Sequence, residues 1–395
     1  MWLINNLYAM AIHTVIGQAA TGDDFYPREE VIGKLWDKIE SGHHILITAP
    51  RRVGKTSILK FIQDNPKADF EPIYIITESV NSGNEFFRKV FKELIQLLSG
   101  SGKIRAQLSR LIKSNRITSI SIEGFTIEGK QFDYFDELLY VIDHLDLEGR
   151  KLVFIIDEFA QTVENIIDDE DIKSAKNFLS KCRELRHKDG VKDKLLFIYA
   201  GSIGLESIVG RINAIHSIND LYPFEIPPFS PSDAKELINK LTKDAGWRFN
   251  VGFFDHLFNS IGWLLPYYLQ IVVDEIDKIG NVEVNEIDES VINIAIENAI
   301  KQRIYFEHWL IRLRKAYKGN GFRFAKELLN VTSENGQISN NEISDLAEKY
   351  DIAEDFLDIV NALKHDGYID TPADSKVFRF NSPLLKVWWD RNVNF

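Results

Sequence analysis

Cysteine is nearly absent: Cys182 is the single one in 395 residues. That excludes a disulfide framework and a cysteine-ligated zinc site, and it fits a reducing compartment. Proline is sparse at 11 residues, and no low-complexity tract or internal period recurs, so disorder, collagen-like repeats and solenoids are excluded. The nine histidines show no paired ligand spacing of the H-E-x-x-H kind. Positive charge is in deficit, with 47 Lys+Arg against 59 Asp+Glu and a net charge of −12. Such a surface repels a phosphate backbone unless cations gather locally, which argues against non-specific nucleic-acid binding by the whole chain. Clean hydrophobic spans are missing too. The first 20 residues are apolar, but they contain no Lys or Arg and are interrupted by Asn5, Asn6, His13 and Gln18, unlike a signal peptide or an anchor. The expectation is a soluble cytoplasmic protein without membrane contact, with Met10 as an alternative start.

What is present is globular chemistry: 45% hydrophobic and 12% aromatic residues. At roughly 100–200 residues per domain the length predicts about two to four domains. From about residue 17 to residue 222, short apolar runs alternate with amphipathic stretches. The runs at 44–48, 72–76, 152–156 and 195–199 read as strands of a parallel sheet covered on both faces. Helical spacing at 85–98 and 172–187 separates them, as in a doubly wound α/β sheet. The alternating segment 117–127, centred on Gly124, predicts an inserted β-hairpin. From Pro227 to about Ile300 the pattern is all helical, with Ser232 as N-cap before Ala234-Lys235-Glu236-Leu237. Short helices follow, then Gly367-Tyr368-Ile369-Asp370 and Val377-Phe378-Arg379-Phe380, an order that predicts a winged helix.

The chemistry begins directly after the first strand. Ala49-Pro50-Arg51-Arg52-Val53-Gly54-Lys55-Thr56-Ser57 matches the phosphate-binding pattern G-x-x-x-x-G-K-[ST], with Ala in place of the first Gly. In such a loop the backbone amides converge on the β-phosphate and the helix start adds positive potential. Lys55 neutralises the β/γ oxygens and has no expected part in the fold, and Thr56 offers its hydroxyl to Mg²⁺. Read alone, the segment can also be a basic turn capping a helix. A second apolar strand ends in Asp157-Glu158, where one acid can hold Mg²⁺ and the next can orient or deprotonate the attacking water. Two carboxylates after an apolar run can also be a solvated helix start. Loop and acids together, in this order and both at strand ends, point to ATP.

Phe25-Tyr26-Pro27-Arg28-Glu29, the loop, Ile156-Asp157-Glu158-Phe159 and Gly201-Ser202-Ile203-Gly204-Leu205 together resemble the archaeal-type ATPases of the STAND class, signal-transduction ATPases related to AAA+ proteins. The likeness covers most of the chain, through Tyr222-Pro223-Phe224, Gly262 and Pro266 to the C-terminal end. It implies a P-loop doubly wound α/β domain over 1–226, an all-helical lid over 227–300 and a winged-helix domain over 301–395. Lys55 and Thr56 would then bind phosphate and Mg²⁺, Asp157 would hold the metal and Glu158 would activate water. Ser202 would be a polar sensor of the γ-phosphate, Pro266 and Tyr267 would contact base or β-phosphate from the lid, and Asp24 to Glu29, with Tyr26 and Arg28, would lie against adenine. Two departures stand out. Ala49 must keep a backbone conformation open to a residue with a Cβ, and Gly262-Trp263-Leu264-Leu265-Pro266 is longer than the usual Gly-x-Pro.

Other residues admit two readings. Arg183 and Arg186 follow the acidic pair on an amphipathic helix, where either could contact the γ-phosphate or belong to a solvated face. His43 and His44 read as a turn before a strand, and Trp388 and Trp389 as packing of the last helix on the wing. A winged helix raises the question of DNA. Residues 300–395 carry 14 Lys+Arg and 14 Asp+Glu, and the expected groove-reading helix, Ala353-Glu354-Asp355-Phe356-Leu357-Asp358-Ile359, brings three acids. Carboxylates there oppose phosphates, so DNA is disfavoured and a protein partner favoured. The basic cluster Arg312, Arg314, Lys315 and Lys318 lies on an earlier helix. The functional expectation is a slow, ATP/ADP- and Mg²⁺-dependent switch. An ATP-gated DNA-binding regulator and a nucleotide-sensing scaffold without useful hydrolysis are the alternatives.

Overall fold

The structure, a computed structural model, describes residues 11–99, 133–201, 204–283, 286–372 and 375–394. The hairpin expected at 117–127 and the sensor Ser202 lie outside these residues. The chain forms two compact units. One comprises Glu29–Thr48 and Ile58–Ile226; the other gathers the chain up to Arg28, the loop segment Ala49–Ser57 and Pro227 onward.

In order along the chain, the sheet unit holds α1 (Glu29–Glu40), β1 (Ile45–Thr48), most of α2 (Lys55–Asp64), β2 (Phe70–Ile76), α3 (Gly83–Ser99), α4 (Tyr134–His144), β3 (Lys151–Asp157), α5 (Phe159–Asp169), α6 (Ile172–His187), β4 (Leu195–Ala200), α7 (Leu205–Arg211) and β5 (Tyr222–Glu225). The strands are all parallel and run β2-β3-β4-β1-β5. Every residue of β4, and all of β3 after Lys151, is buried, which is why these strands read as unbroken apolar runs. One strand, β4, separates β1 from β3. The motif Tyr222-Pro223-Phe224 proves to be a fifth strand. Its proline hides it from a propensity reading, yet among the described residues β5 pairs with β1 alone, and a sheet edge tolerates a residue without an N–H. Pro72 occupies the opposite edge strand, β2, for the same reason. On one side of the sheet Phe86 of α3 meets Phe159 of α5 and Phe178 of α6 edge-on, with ring centroids 5.8 and 4.9 Å away. These contacts lock three helices onto the strands.

The second unit continues with α8 (Pro231–Leu241), β6 (Arg248–Phe249), α9 (Phe253–Ile261), α10 (Pro266–Glu283), β7 (Glu286–Ile287), α11 (Glu289–Lys301), α12 (Arg303–Ala316), α13 (Gly319–Asn335), β8 (Ile338–Ser339), α14 (Asn340–Lys349), α15 (Phe356–His365), β9 (Ile369–Asp370), β10 (Val377–Phe380) and α16 (Pro383–Asn392). The N-cap of α8 is Ser230, not Ser232: its side chain accepts from the Asp233 N–H, and Pro231 at the first helical position needs no donor. The region 227–300 is not wholly helical, because β6 and β7 form a short parallel pair. Strands β8, β10 and β9 make an antiparallel sheet in that order. Helix α15 starts three residues later than expected. Glu354 and Asp355 sit in the turn before it and Asp358 alone of the three acids is on the helix. Trp389 packs near Phe380 of β10 and donates its indole N–H to Asn330 Oδ1 at 2.9 Å, whereas Trp388 stacks 5.9 Å from Phe306 of α12. No helix among the described residues is long and apolar enough to cross a membrane.

Candidate nucleotide site

The loop Ala49–Gly54 leaves β1 and ends where Lys55 opens α2. Its left-handed residues are Arg52 (φ 67°) and Gly54 (φ 94°), and Ala49 is not among them. The alanine that departs from the phosphate-loop pattern is therefore accommodated without strain, and glycine is needed at 54. Left-handed residues just before a helix start turn successive N–H groups to one side, the backbone form of an anion cradle. Val53 and Ser57 are buried, and Pro50, Arg51 and Thr56 half-buried. Lys55 is also buried, and its Nζ donates to the Ala49 and Pro50 carbonyls, each at 3.1 Å. The expectation that Lys55 takes no part in the fold does not hold: its ammonium ties the loop to itself.

Two of the resemblance-derived residues meet this loop. Pro266, first residue of α10, has its Cγ 3.8 Å from where a Cβ on Gly54 would stand. The Arg52 guanidinium lies over the Tyr267 ring, 4.4 Å from its centroid, and Arg52 Nη1 donates to the Gly17 carbonyl at 3.2 Å. Tyr267 donates its hydroxyl to the Tyr305 carbonyl at 3.2 Å, and burial raises its pKa against the opposing charge of Arg52. Gly262 behaves differently. It terminates α9 with φ 69°, and a Cβ there would stand 2.5 Å from Pro383 Cδ, so its work is to stop a helix against α16.

Tyr26 and Arg28 are both buried. Tyr26 donates to Glu236 Oε2 at 3.0 Å, and Arg28 lies over Phe229, 4.7 Å from its centroid, with Nη2 donating to the Pro228 carbonyl at 3.0 Å. Burial lowers the Arg28 pKa against the nearby charge of Asp233. Sequence reasoning missed His308 of α12. Its ring stands edge-on to Tyr267 at 6.2 Å, and neither ring nitrogen meets a hydrogen-bond partner among the described residues. Burial, followed by the charges of Arg52, Arg51 and Arg312, pushes its pKa down to about 3. A lone histidine in a helical run carries no signal of this placement.

In the sheet unit, β3 ends in Asp157, which is 3% exposed. Asp157 Oδ1 accepts the Glu158 N–H at 3.0 Å and Oδ2 accepts the Tyr74 hydroxyl at 2.6 Å. Its carbonyl accepts both the N–H and the hydroxyl of Thr77, at 2.9 and 3.0 Å. Glu158, half-buried, is the N-cap of α5 and adopts a left-handed conformation at φ 59°, ψ 33°. A non-glycine residue held there stores strain of about 1–3 kcal/mol, and such positions gather at functional sites.

Arg186 is placed in a buried clamp. Its Nε and Nη2 donate to the two Asp220 oxygens at 2.6 and 2.8 Å, Nη2 also to the Ser217 carbonyl at 2.6 Å, and Nη1 to the Tyr199 hydroxyl at 3.3 Å. The side chain is 1% exposed. Reaching a phosphate would strip a largely buried carboxylate of its partner, so the expectation of a phosphate-contacting Arg186 is withdrawn. Arg183 is half-buried on the same helix and donates to Asn219 Oδ1 at 2.7 Å.

Solved structures similar to this chain span nearly its whole length. A Walker-type ATPase of Pyrococcus abyssi is 17% identical, with a TM-score of 0.64, covering 97% of this chain and 99% of that one. The Orc2 protein of Aeropyrum pernix, solved as ADPNP–ADP complexes, is 13% identical, with a TM-score of 0.55, covering 97% and 96%. No family model and no curated protein matches the sequence. At these identities the likeness establishes architecture: the chain has the P-loop α/β ATPase fold, with a helical C-terminal region.

Proposed function

We propose that the protein binds ATP with Mg²⁺ through the loop Ala49–Ser57 and hydrolyses it slowly, as a nucleotide-dependent switch of the STAND type. The observation that carries this reading is the loop itself, with left-handed Arg52 and Gly54 leading into α2 and a buried lysine at its first residue. The loop amides and Lys55 take the phosphates, Thr56 and Asp157 hold the metal, and Tyr26 and Arg28 face the base. Asp157 suits a hard cation: it is a buried carboxylate whose two oxygens are oriented by the Glu158 N–H and the Tyr74 hydroxyl. Bound Mg²⁺ supplies neutralisation of the phosphate charge. Glu158 takes a proton from the water whose oxygen attacks the γ-phosphorus while the bond to the bridging oxygen breaks, releasing ADP and phosphate. Ser202 is retained as the sensor. Pro266 and Tyr267 touch the loop, so a change at the phosphates reaches α10 without an intermediary.

The proposed division keeps an α/β domain to residue 226, a lid over 227–300 and a winged helix beyond, the last built from α13 to β10. Its role is contact with a protein partner, and a cytoplasmic setting accompanies it. Calorimetry on the full-length protein tests the core of this. Lys55→Ala should weaken ATP binding at least tenfold, on the scale of charged hydrogen bonds. Glu158→Gln should keep ATP·Mg²⁺ and lose about 100-fold or more in hydrolysis, while Asp157→Ala should lose the metal-dependent part of binding. Undiminished ATP binding by Lys55→Ala refutes the site. Absence of hydrolysis in the unsubstituted protein favours the scaffold alternative.

A further inference from the structure

We propose that Tyr74 is the positioning residue of the metal-holding carboxylate, a role that rests on the ATP·Mg²⁺ reading above. The placement follows from the strand register. β2 and β3 run parallel with Ile76 opposite Asp157 and Tyr74 opposite Ile155. Side chains two residues apart share a face, so Tyr74 is the diagonal neighbour of Asp157, at a distance that only a long side chain spans. Its phenol does so, donating to Asp157 Oδ2 at 2.6 Å, the length of a charge-assisted hydrogen bond. The same residue is anchored from the other side. The Tyr74 N–H donates to Gln63 Oε1 at 3.0 Å, and Lys60 Nζ lies 5.9 Å from its ring centroid.

Gln63 and Lys60 belong to α2, the helix whose first turn carries Lys55 and Thr56. Tyr74 therefore ties the body of α2 to the carboxylate at the end of β3. The phenol's bond fixes the rotation of the carboxylate, while the Glu158 N–H at 3.0 Å holds Oδ1. Ligating carboxylates are themselves hydrogen-bonded in metal sites, and removing that outer partner typically weakens metal binding about 10–100-fold.

Tyr74→Phe keeps the ring and removes the hydroxyl. The test measures ATP binding by the full-length protein across a Mg²⁺ titration, ATP binding in EDTA, and the melting temperature. The expected result is a Mg²⁺ midpoint raised about tenfold, with affinity in EDTA within about twofold of the unsubstituted protein. A purely structural role would weaken both arms in parallel, and that result overturns the assignment. An unmoved midpoint in Tyr74→Phe, where Asp157→Ala shifts it, also overturns it and leaves the ATP·Mg²⁺ reading standing. Metal-independent binding by the unsubstituted protein removes that reading and this assignment with it.

Discussion

At the scale of single residues, His44 shows how a half-buried ring sets a pH dependence. Its Nδ1 accepts the Phe197 N–H at 3.1 Å, which requires the neutral imidazole. Burial first, then the charge of Arg186, holds its pKa down at about 4, with Asp220 opposing. The unfolded chain binds the proton near pH 6.5, so between about 6.5 and 4 it carries more protons than the folded one and stability rises with pH. The contribution is whole above about pH 6.5 and is lost progressively as pH falls toward 4. About 2 kcal/mol should disappear between pH 7 and pH 5. His44→Asn, which preserves an acceptor but cannot titrate, should flatten that slope in urea unfolding, leaving the part due to His308. An unchanged slope in the variant would show that His44 does not govern it. His44 read as a turn residue in the sequence, because nothing near it in the chain announces Arg186 or Asp220.

At the scale of elements, Arg186 joins α6 to the segment before β5. Burial pushes the Asp220 carboxyl upward, but the hydrogen bonds and charge of Arg186 outweigh it and hold it below its ordinary value. Removing one partner of such a pair leaves a buried charge without compensation, at about 3–5 kcal/mol. Arg186→Met should therefore lower the urea midpoint strongly, while any folded fraction keeps its ATP affinity and hydrolysis. Lost hydrolysis at full stability would restore the phosphate-contacting role. Element identity was largely legible in advance. The strands of the sheet interior and the helix at 172–187 declare themselves through unbroken burial or clean amphipathic spacing. β5 did not, because it is four residues long and contains a proline. The start of α15 was misjudged because acids that fit a first helical turn fit the preceding turn equally well.

At the scale of the whole molecule, the question is what the C-terminal region touches. Arg312 cannot serve DNA: it is buried and paired with Asp366 at 2.5 Å. That removes one of four cations from the basic cluster, although the delayed start of α15 also removes two acids from its face. Arg314 and Lys318 remain exposed, in a region with 14 positive and 14 negative residues. Without a net excess of cations, counterion release contributes little. The full-length protein should show no appreciable binding to mixed-sequence duplex at physiological salt by fluorescence anisotropy. Sub-micromolar, salt-sensitive binding lost in Arg314→Ala and Lys318→Ala would favour the DNA-binding regulator instead.

The loop pattern at 49–57, the apolar strands and the acidic pair at the end of β3 were legible in the sequence alone, because each is a local pattern. A buried parallel strand must be continuously apolar, and a phosphate loop needs its glycine and lysine at fixed spacing. The tertiary structure decided which charged and polar groups are spent on the fold. Arg186 finds Asp220 34 residues away, Arg312 finds Asp366 54 away, and Tyr74 reaches Asp157 across 83. The loop likewise falls in one compact unit with Pro266 and Tyr267, far along the chain. Composition and periodicity say that an arginine or tyrosine is present and on which kind of element. Only chain packing brings in the partner, and the partner determines whether that side chain is free to meet a ligand.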